Sequence, residues 1–168
     1  MEMKDEIRIE ASVPEVFAAL NDPEILQQCI PGCDELSVQD GNILEAKVSL
    51  RIGPVKARFT GKVTLDTAGA PHRFALAGEG SGGIAGFAKG GADVTLRPEG
   101  EATILAYEAK SEIGGKIAQL GSRLVDSTAR KLSGQFFARF KEIVENDGAA
   151  QTAGADAAPS SALPEEIA

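Results

Sequence analysis

Hydrophobic and polar residues alternate along most of the first 113 residues of the chain. A period of two is typical of strands that bury one face, and turns rich in Gly, Pro, Asn and Asp separate the alternating segments. The pattern predicts seven strands, at residues 4–11, 34–39, 43–52, 55–66, 72–80, 88–97 and 103–113. Short strands joined by tight turns indicate an antiparallel meander.

A helical period replaces the alternation over residues 114–146. Apolar side chains recur there every three or four positions, from Ile117 to Ile143, which predicts one long helix with a single apolar stripe. Two short helices are predicted after the first strand, at residues 14–20 and 24–29, with Ser12 as the N-cap of the first. The predicted fold class is α+β, a curved antiparallel sheet of about seven strands wrapped around the long C-terminal helix.

The charge balance changes this picture mainly at the C-terminus. Acidic residues outnumber basic ones by 25 to 17, a net charge of −8, so we expect no nucleic-acid partner. Residues 147–168 hold four acidic and no basic residues among Ala, Gly, Ser and Pro. We therefore expect one domain, residues 1–146, followed by a disordered acidic tail or tether, residues 147–168.

Residue types that often carry chemistry are sparse. Cys29 and Cys33 lack the CxxC spacing of a redox motif, and we interpret them as reduced thiols near a turn. His72 begins a predicted strand, and no cluster of ligands indicates a metal. We expect no catalytic residue and no covalent cofactor. The charged N-terminus and the lack of an apolar run of about 18 residues predict a cytoplasmic protein.

The residues predicted to face the inside of the sheet are small and carry almost no charge. Because protein interiors are normally close-packed, this pattern has two interpretations: a thin core in which helix and sheet approach closely, or an apolar cavity for a hydrophobic ligand. We favour the cavity, in which Tyr107 and Ser111 would offer hydrogen bonds to a ligand carbonyl. The residues predicted to line it are Ala57, Phe59, Gly61, Phe74, Leu76, Ala92, Val94, Tyr107, Ala109, Ser111, Leu120, Gly121, Leu124, Val125 and Thr128.

A glycine-rich connection at residues 80–91 carries two apolar side chains, Ile84 and Phe87. The GxGxxG match at residues 78–83 precedes a strand pattern rather than a helix, so it does not indicate a nucleotide site. The connection is either a flexible turn with Phe87 folded into the core or a flap in which both residues gate the cavity. As a flap, its apolar tip would admit a ligand or touch a partner or a membrane.

Basic residues form a stripe on the predicted long helix, with one bulky apolar residue beside them. The stripe is either an ordinary solvated face or a docking surface for an acidic partner or anionic headgroups. The residues of this predicted docking surface are Lys116, Arg123, Arg130, Phe137 and Lys141.

Three segments carry a family resemblance: CIPGCDEL at residues 29–36, GFAKGGADVTL at 86–96 and GGKIAQLGSRLVDSTARKLSGQFFARF at 114–140. Over residues 1–146 the sequence resembles the G-subunit family of carbon monoxide dehydrogenase, within the START-like (SRPBCC) helix-grip superfamily. The resemblance implies the helix-grip fold and a non-catalytic protein that associates with a molybdenum hydroxylase of the carbon monoxide dehydrogenase type. It also implies that the protein docks this enzyme at the cytoplasmic membrane and holds a quinone in the grip cavity.

The tail departs from the family pattern. Some members carry a longer apolar C-terminal region suited to membrane attachment, whereas residues 147–168 are acidic and polar. We therefore expect peripheral, transient membrane contact through the flap or the basic stripe. The leading hypothesis is an accessory protein that binds an apolar, quinone-like ligand and links the enzyme to the membrane and the respiratory chain. The alternatives are a helix-grip enzyme of the cyclase or hydrolase type, and an adaptor or maturation factor without a small-molecule ligand.

Overall fold

The computed structural model describes the backbone of residues 1–157 and the side chains of residues 1–146. The helices are α1 (Val13–Leu20), α2 (Pro23–Cys29) and α3 (Ser122–Ala157), with two short 3₁₀ turns at Gly83–Ala85 and Lys116–Leu120. Seven strands are present, as predicted. They are β1 (Glu2–Ile9), β2 (Cys33–Gln39), β3 (Ile43–Ile52), β4 (Val55–Asp66), β5 (Arg73–Ser81), β6 (Phe87–Glu99) and β7 (Ala102–Gly114).

All seven strands form one antiparallel sheet in the order β1-β7-β6-β5-β4-β3-β2. Strands β2 to β7 follow one another as the predicted meander. β1 instead pairs with β7, with Asp5 opposite Tyr107 and Ile9 opposite Thr103. The helices α1 and α2 therefore carry the chain from one edge of the sheet to the other, and they cover part of its inner face on the way.

Local sequence signals fix the two short helices. The Ser12 side chain accepts a hydrogen bond from the backbone N–H of Glu15, and the Glu15 carboxylate accepts one from the backbone N–H of Ser12, which completes a capping box. Asp22 caps α2 by accepting from the backbone N–H of Glu24. The predicted N-cap of α1 is confirmed, and the two caps fix the residues at which α1 and α2 begin.

The long helix differs from the prediction at both ends. It begins at Ser122 rather than at residue 114, because Gly115 and Gly121 adopt positive φ angles of 82° and 99° that end a right-handed helix. Residues 116–120 form a separate 3₁₀ turn, although their side chains continue the helical spacing. At the other end α3 runs to Ala157, eleven residues beyond the predicted end of the helix at residue 146. Alanine-rich sequence extends an existing helix readily, and residues 158–168 of the predicted tail lie outside the described residues.

The main core lies where β1, α1 and the second half of α3 meet. Phe140 and Ile9 are fully buried there, and Leu96 and Leu105 are 1% exposed. Thr103 is the buried polar residue in this core, and its hydroxyl donates to the carbonyl oxygen of Ala11 at 2.7 Å. This cluster anchors the second half of α3 against the sheet.

A second, smaller cluster, which we call the packed end, lies beside the 3₁₀ turn that precedes α3. Its buried members are Val55, Ala85 and Ile117, and the partly buried residues packed on them are Ile52, Ala57, Phe59, Ile113 and Leu120. Positions 122 to 144 of α3 span about 33 Å of helix. The main core therefore holds the second half of α3, and the packed end holds the turn that leads into it.

Candidate functional site

An apolar cavity of about 360 Å³ lies between the inner face of the sheet, α2 and the second half of α3. We call this region the open end. Its wall on the sheet side comes from β2 to β7, and its opposite wall comes from the three helices and the residue that follows α2. The lining residues are Leu20, Leu26, Ile30, Leu36, Leu44, Ala46, Val48, Gly61, Val63, Leu65, Phe74, Leu76, Val94, Leu105, Phe136 and Phe137.

Aromatic packing holds the α3 side of the open end in place. The Phe136 ring is stacked on the buried Phe140 ring with centroids 5.9 Å apart, and it meets the Phe137 ring edge-on at 5.0 Å. Phe137 in turn is stacked on Tyr107 at 5.3 Å. Such pairs stabilise each other beyond their buried area, so this wall is anchored in the main core.

The open end contains only some of the residues predicted to line a cavity. Gly61, Phe74, Leu76 and Val94 are among its lining residues. The remaining eleven predicted residues do not line the 360 Å³ space. They are Ala57, Phe59, Ala92, Tyr107, Ala109, Ser111, Leu120, Gly121, Leu124, Val125 and Thr128.

Four of these eleven residues lie where helix, strands and turns approach closely. Ala57, Phe59 and Leu120 belong to the packed end. Leu124 lies against the β3–β4 turn, where its Cδ2 atom is 2.8 Å from the position that a Cβ on Gly53 would take. Gly121 is exposed in the turn before α3. Small residues at this end therefore permit contact rather than leave space.

Five more of these residues lie on β6, β7 and the start of α3, and all are partly exposed. Ala92, Ala109 and Ser111 face inward on β6 and β7, and Val125 and Thr128 lie on the first turns of α3. The Thr128 hydroxyl donates to the carbonyl oxygen of Leu124 at 2.8 Å. Ser111 is tied to the N-terminus, because its carbonyl oxygen accepts from the amino group of Met1 at 2.9 Å.

The predicted gate residues do not line the cavity. The connection between β5 and β6 is only Gly82–Gly86, and Ile84 at its tip is 90% exposed. Phe87 is the first residue of β6 and points to the outer face, where its ring lies over Gly114. The alternating phase of β6 puts Phe87 opposite to Ala88 and Ala92, which is why it cannot enter the core.

The predicted docking surface separates into two parts. Lys116 lies on the 3₁₀ turn rather than on α3, and Arg123 lies on the first turn of α3. Arg130, Phe137 and Lys141 come together with Tyr107 in a groove of about 340 Å³ between α3 and β1. Phe137 is therefore a partly buried wall residue and not an exposed aromatic beside a basic stripe.

Cys29 lies in the main core and is followed in the sequence by Ile30, which lines the open end. The residue ends α2, is 2% exposed and has a free thiol. Burial raises the pKa of this thiol to about 11, against a smaller opposing attraction from Arg139. Cys33 is also free, and burial again raises its pKa. Both thiols are thus protonated at neutral pH.

The sequence matches the family of the carbon monoxide dehydrogenase G subunit (CoxG) over residues 6–145. The chain belongs to this family. CoxG proteins are accessory subunits of the carbon monoxide dehydrogenase system. Membership of the family assigns this chain an accessory role in that system. No curated protein matches the sequence significantly.

Solved structures confirm the helix-grip fold of this CoxG chain. A conserved protein from Geobacillus kaustophilus is 28% identical, with a TM-score of 0.81 over 87% of this chain and 96% of that chain. A Thermus thermophilus protein is 18% identical, with a TM-score of 0.65 over 86% and 97%. The Zhui aromatase/cyclase from Streptomyces sp. R1128 is 11% identical, with a TM-score of 0.62 over 86% and 93%. The last two likenesses show a shared fold alone.

In the part of the chain that the structure describes, no helix is both long and apolar enough to cross a bilayer. Within the same residues, no three His, Cys, Asp or Glu side chains converge as a metal site requires.

Sequence reasoning missed the helical wall of the cavity in this CoxG chain. Leu26 and Ile30, four residues apart on α2 and its C-cap, face the open end together with Leu20. The spacing of four positions was visible in the sequence and is typical of one helix face. The missing information was which part of the sheet α2 would cover.

Proposed function

We propose that this chain is a non-catalytic accessory protein of a molybdenum hydroxylase of the carbon monoxide dehydrogenase type, and that it holds an apolar, quinone-like molecule in the open end. The observation that carries the proposal is the size and chemistry of the cavity. Its volume of about 360 Å³ falls within the range of small-molecule sites, about 300–1,000 Å³. All sixteen lining residues are apolar.

Energetics favours an occupied cavity. Most of its lining residues are only partly buried, so apolar surface inside the cavity faces water when no ligand is bound. An apolar ligand removes this surface from water, which stabilises the complex by about 25 cal/mol per Å².

The lining also argues against the enzymatic alternative. Acid-base catalysis of the cyclase or hydrolase type needs a titratable group beside the substrate. No ionisable side chain lines the cavity within the described residues. Asp5 is the acidic residue on the inward phase of β1, and it lies in the groove rather than in the cavity.

Ligand extraction tests the proposal on the intact chain. Freshly purified protein should release a quinone or a similar apolar molecule on solvent extraction, detected by mass spectrometry, and stripped protein should rebind decylubiquinone. Gly61→Leu should abolish rebinding, because its side chain enters the cavity from β4. Thr64→Leu adds bulk to the outward face of the same strand and should bind as the wild type does. Absence of both an extracted ligand and decylubiquinone binding would leave the adaptor role as the better account.

Membrane contact belongs to the same proposal. Ile84 at the tip of the β5–β6 connection is 90% exposed, and Phe87, three residues later at the start of β6, is 44% exposed. Two exposed apolar side chains at or near a tip are suited to shallow, reversible insertion at a bilayer surface. Ile84→Asp should reduce cosedimentation with anionic lipid vesicles without changing thermal stability. Equal cosedimentation of the variant and the wild type would remove this contact from the account.

A further inference from the structure

The groove between β1 and α3 has polar chemistry that the cavity lacks. It holds about 340 Å³ and lies on the other side of Phe137 from the open end. Phe137 lines both spaces, so its ring is part of the wall between them. The groove is lined by Met3, Lys4, Asp5, Ile7, Tyr107, Arg130, Ser133, Gly134, Phe137, Ala138 and Lys141.

A pair of hydroxyl groups forms the inner wall of the groove. The hydroxyl oxygens of Tyr107 and Ser133 are 2.8 Å apart in a partly buried position. Each hydroxyl has one proton to donate, and a single hydrogen bond between them uses only one of the two. The other O–H is available to a ligand atom that accepts hydrogen bonds.

Positive charge surrounds this hydroxyl pair. Arg130 makes no salt bridge within the described residues, and Lys141 has Glu145 as its partner at 3.9 Å. Asp5 is the acidic residue in the groove, and its carboxylate accepts from the backbone N–H of Glu6. The balance favours an electron-rich oxygen, such as a quinone carbonyl or a carboxylate, over a cation.

Gly134 lines the groove at a position where no neighbouring atom requires a glycine. A Cβ at this position would meet no atom within 4 Å, and the φ angle is not in the left-handed region. Glycine in the middle of a helix is destabilising relative to alanine. The residue therefore has a cost without a packing reason, and its effect is to widen the space beside Tyr107 and Ser133.

We infer that the groove is a second binding site, which recognises the hydrogen-bond-accepting oxygen head of a ligand whose apolar part occupies the open end. Movement of the Phe137 ring joins the two spaces and makes the groove the entrance to the cavity. This inference rests on the proposed function. It adds the ligand class: an apolar chain that ends in a quinone carbonyl or a carboxylate.

Paired variants of the full chain separate this inference from the proposed function. We would measure binding of decylubiquinone, decanoate and the head-free probe diphenylhexatriene by calorimetry or fluorescence. Gly134→Leu fills the groove and should weaken binding of the first two by roughly tenfold or more, the loss expected for one good polar contact. Gln135→Leu, which places the same side chain on an exposed position of α3 outside the groove, is the matched control and should bind as the wild type does. Normal binding by Gly134→Leu while Gly61→Leu binds nothing would overturn the groove site and leave the cavity proposal standing. A wild-type chain that binds no probe would overturn both.

The single tyrosine gives a direct readout of the head site. The chain has one tyrosine and no tryptophan, so its intrinsic fluorescence comes almost entirely from Tyr107. Decanoate, which does not absorb in this range, should change that fluorescence in proportion to binding measured by calorimetry. Tyr107→Phe keeps the stacked ring and should weaken decanoate and decylubiquinone but not diphenylhexatriene. Unchanged fluorescence at saturation, or equal loss for all three probes, would contradict head recognition.

The two possible heads are distinguished by charge. Arg130→Gln should weaken decanoate more than decylubiquinone if the site prefers a carboxylate, and should affect both little if it prefers a carbonyl. Either result supports the ligand class, and stronger binding of decanoate by Arg130→Gln would contradict it.

Discussion

The two ends of the space beneath α3 differ in how the sheet meets the layer opposite it. At the packed end, glycines let neighbouring segments approach until no room is left for a side chain. A Cβ on Gly86 would lie 2.2 Å from the carbonyl oxygen of Gly114, and a Cβ on Gly115 would lie 2.5 Å from the Cα of Gly86. At the open end, larger residues such as Leu76 and Phe136 line a space of about 360 Å³.

The small inward residues of the sequence suggest a cavity beside them, but at the packed end such residues accompany close contact. Small inward residues predict empty space only if the backbone stays at a fixed distance. In this protein neighbouring groups approach closely wherever a glycine leaves room. At Gly82, for example, the Phe59 ring lies 2.7 Å from the position that a Cβ would take. The cavity forms where α2 and α3 are held away from the sheet by the main core, and its walls combine the small residues Ala46 and Gly61 with large side chains that do not reach one another.

The largest contrast should come from adding one methyl group to the packed end. Gly86→Ala would place a Cβ against backbone at a φ of 122°, which combines overpacking with backbone strain. We expect a loss of about 3 kcal/mol or more in the free energy of unfolding, measured by urea denaturation. Gly83→Ala is the control, since its φ is 63° but no atom lies within 4 Å. It should cost only the strain, about 1 kcal/mol, and equal losses in the two variants would remove close packing as the cause.

A much larger addition should be tolerated at the open end. Gly61→Leu adds four carbons, yet its Cβ would make an ordinary contact of 3.5 Å with the carbonyl oxygen of Glu79. We expect stability to rise by about 1–2 kcal/mol, because the strand loses a glycine and the side chain buries apolar area. The measurement is again urea denaturation, on protein stripped of ligand. Destabilisation by more than about 2 kcal/mol would mean that the open end is already filled by protein atoms.

A smaller effect concerns the main core beside the open end, where Cys29 is buried. The pKa of Cys29 is raised by burial from its ordinary value of about 9 to about 11, so the folded state keeps the proton more tightly than the unfolded state. This contribution to stability is complete below pH 9 and is lost as the pH rises toward 11. Relative to Cys29→Ala, the wild type should lose on the order of 1 kcal/mol between pH 8 and pH 10. Parallel pH profiles for the two proteins would indicate that solvent reaches Cys29.

The elements of the fold were largely predictable because they depend on local patterns. The bounds of β3 and β4 follow from alternation and from the turns at Asp40-Gly41 and Gly53-Pro54. The same phase correctly assigned Gly61, Leu76 and Val94 to the inner face. A shift of one residue would have reversed every one of these assignments, so the period-two pattern is highly informative.

The errors have a common origin in distances that no local pattern encodes. Apolar side chains keep a helical spacing from Ile117 into α3. The 3₁₀ turn is nevertheless separate from α3, because Gly115 before the turn and Gly121 after it adopt positive φ angles. The angular position of Phe137 on an isolated helix predicts that it lies on the surface. That position carries no information about Tyr107, thirty residues earlier in the chain, on which the Phe137 ring stacks. The position of the cavity likewise depends on where α2 crosses the sheet.

Methyl NMR of the protein with decylubiquinone tests the central claim most directly, because it compares the two ends in one sample. Methyl signals of Leu76, Val94 and Leu105 at the open end should shift in proportion to ligand added and saturate at one molecule per chain. Signals of Val55 and Ile117 at the packed end should stay in place. Shifts confined to the packed end, or no shift at the open end at saturating decylubiquinone, would contradict the account.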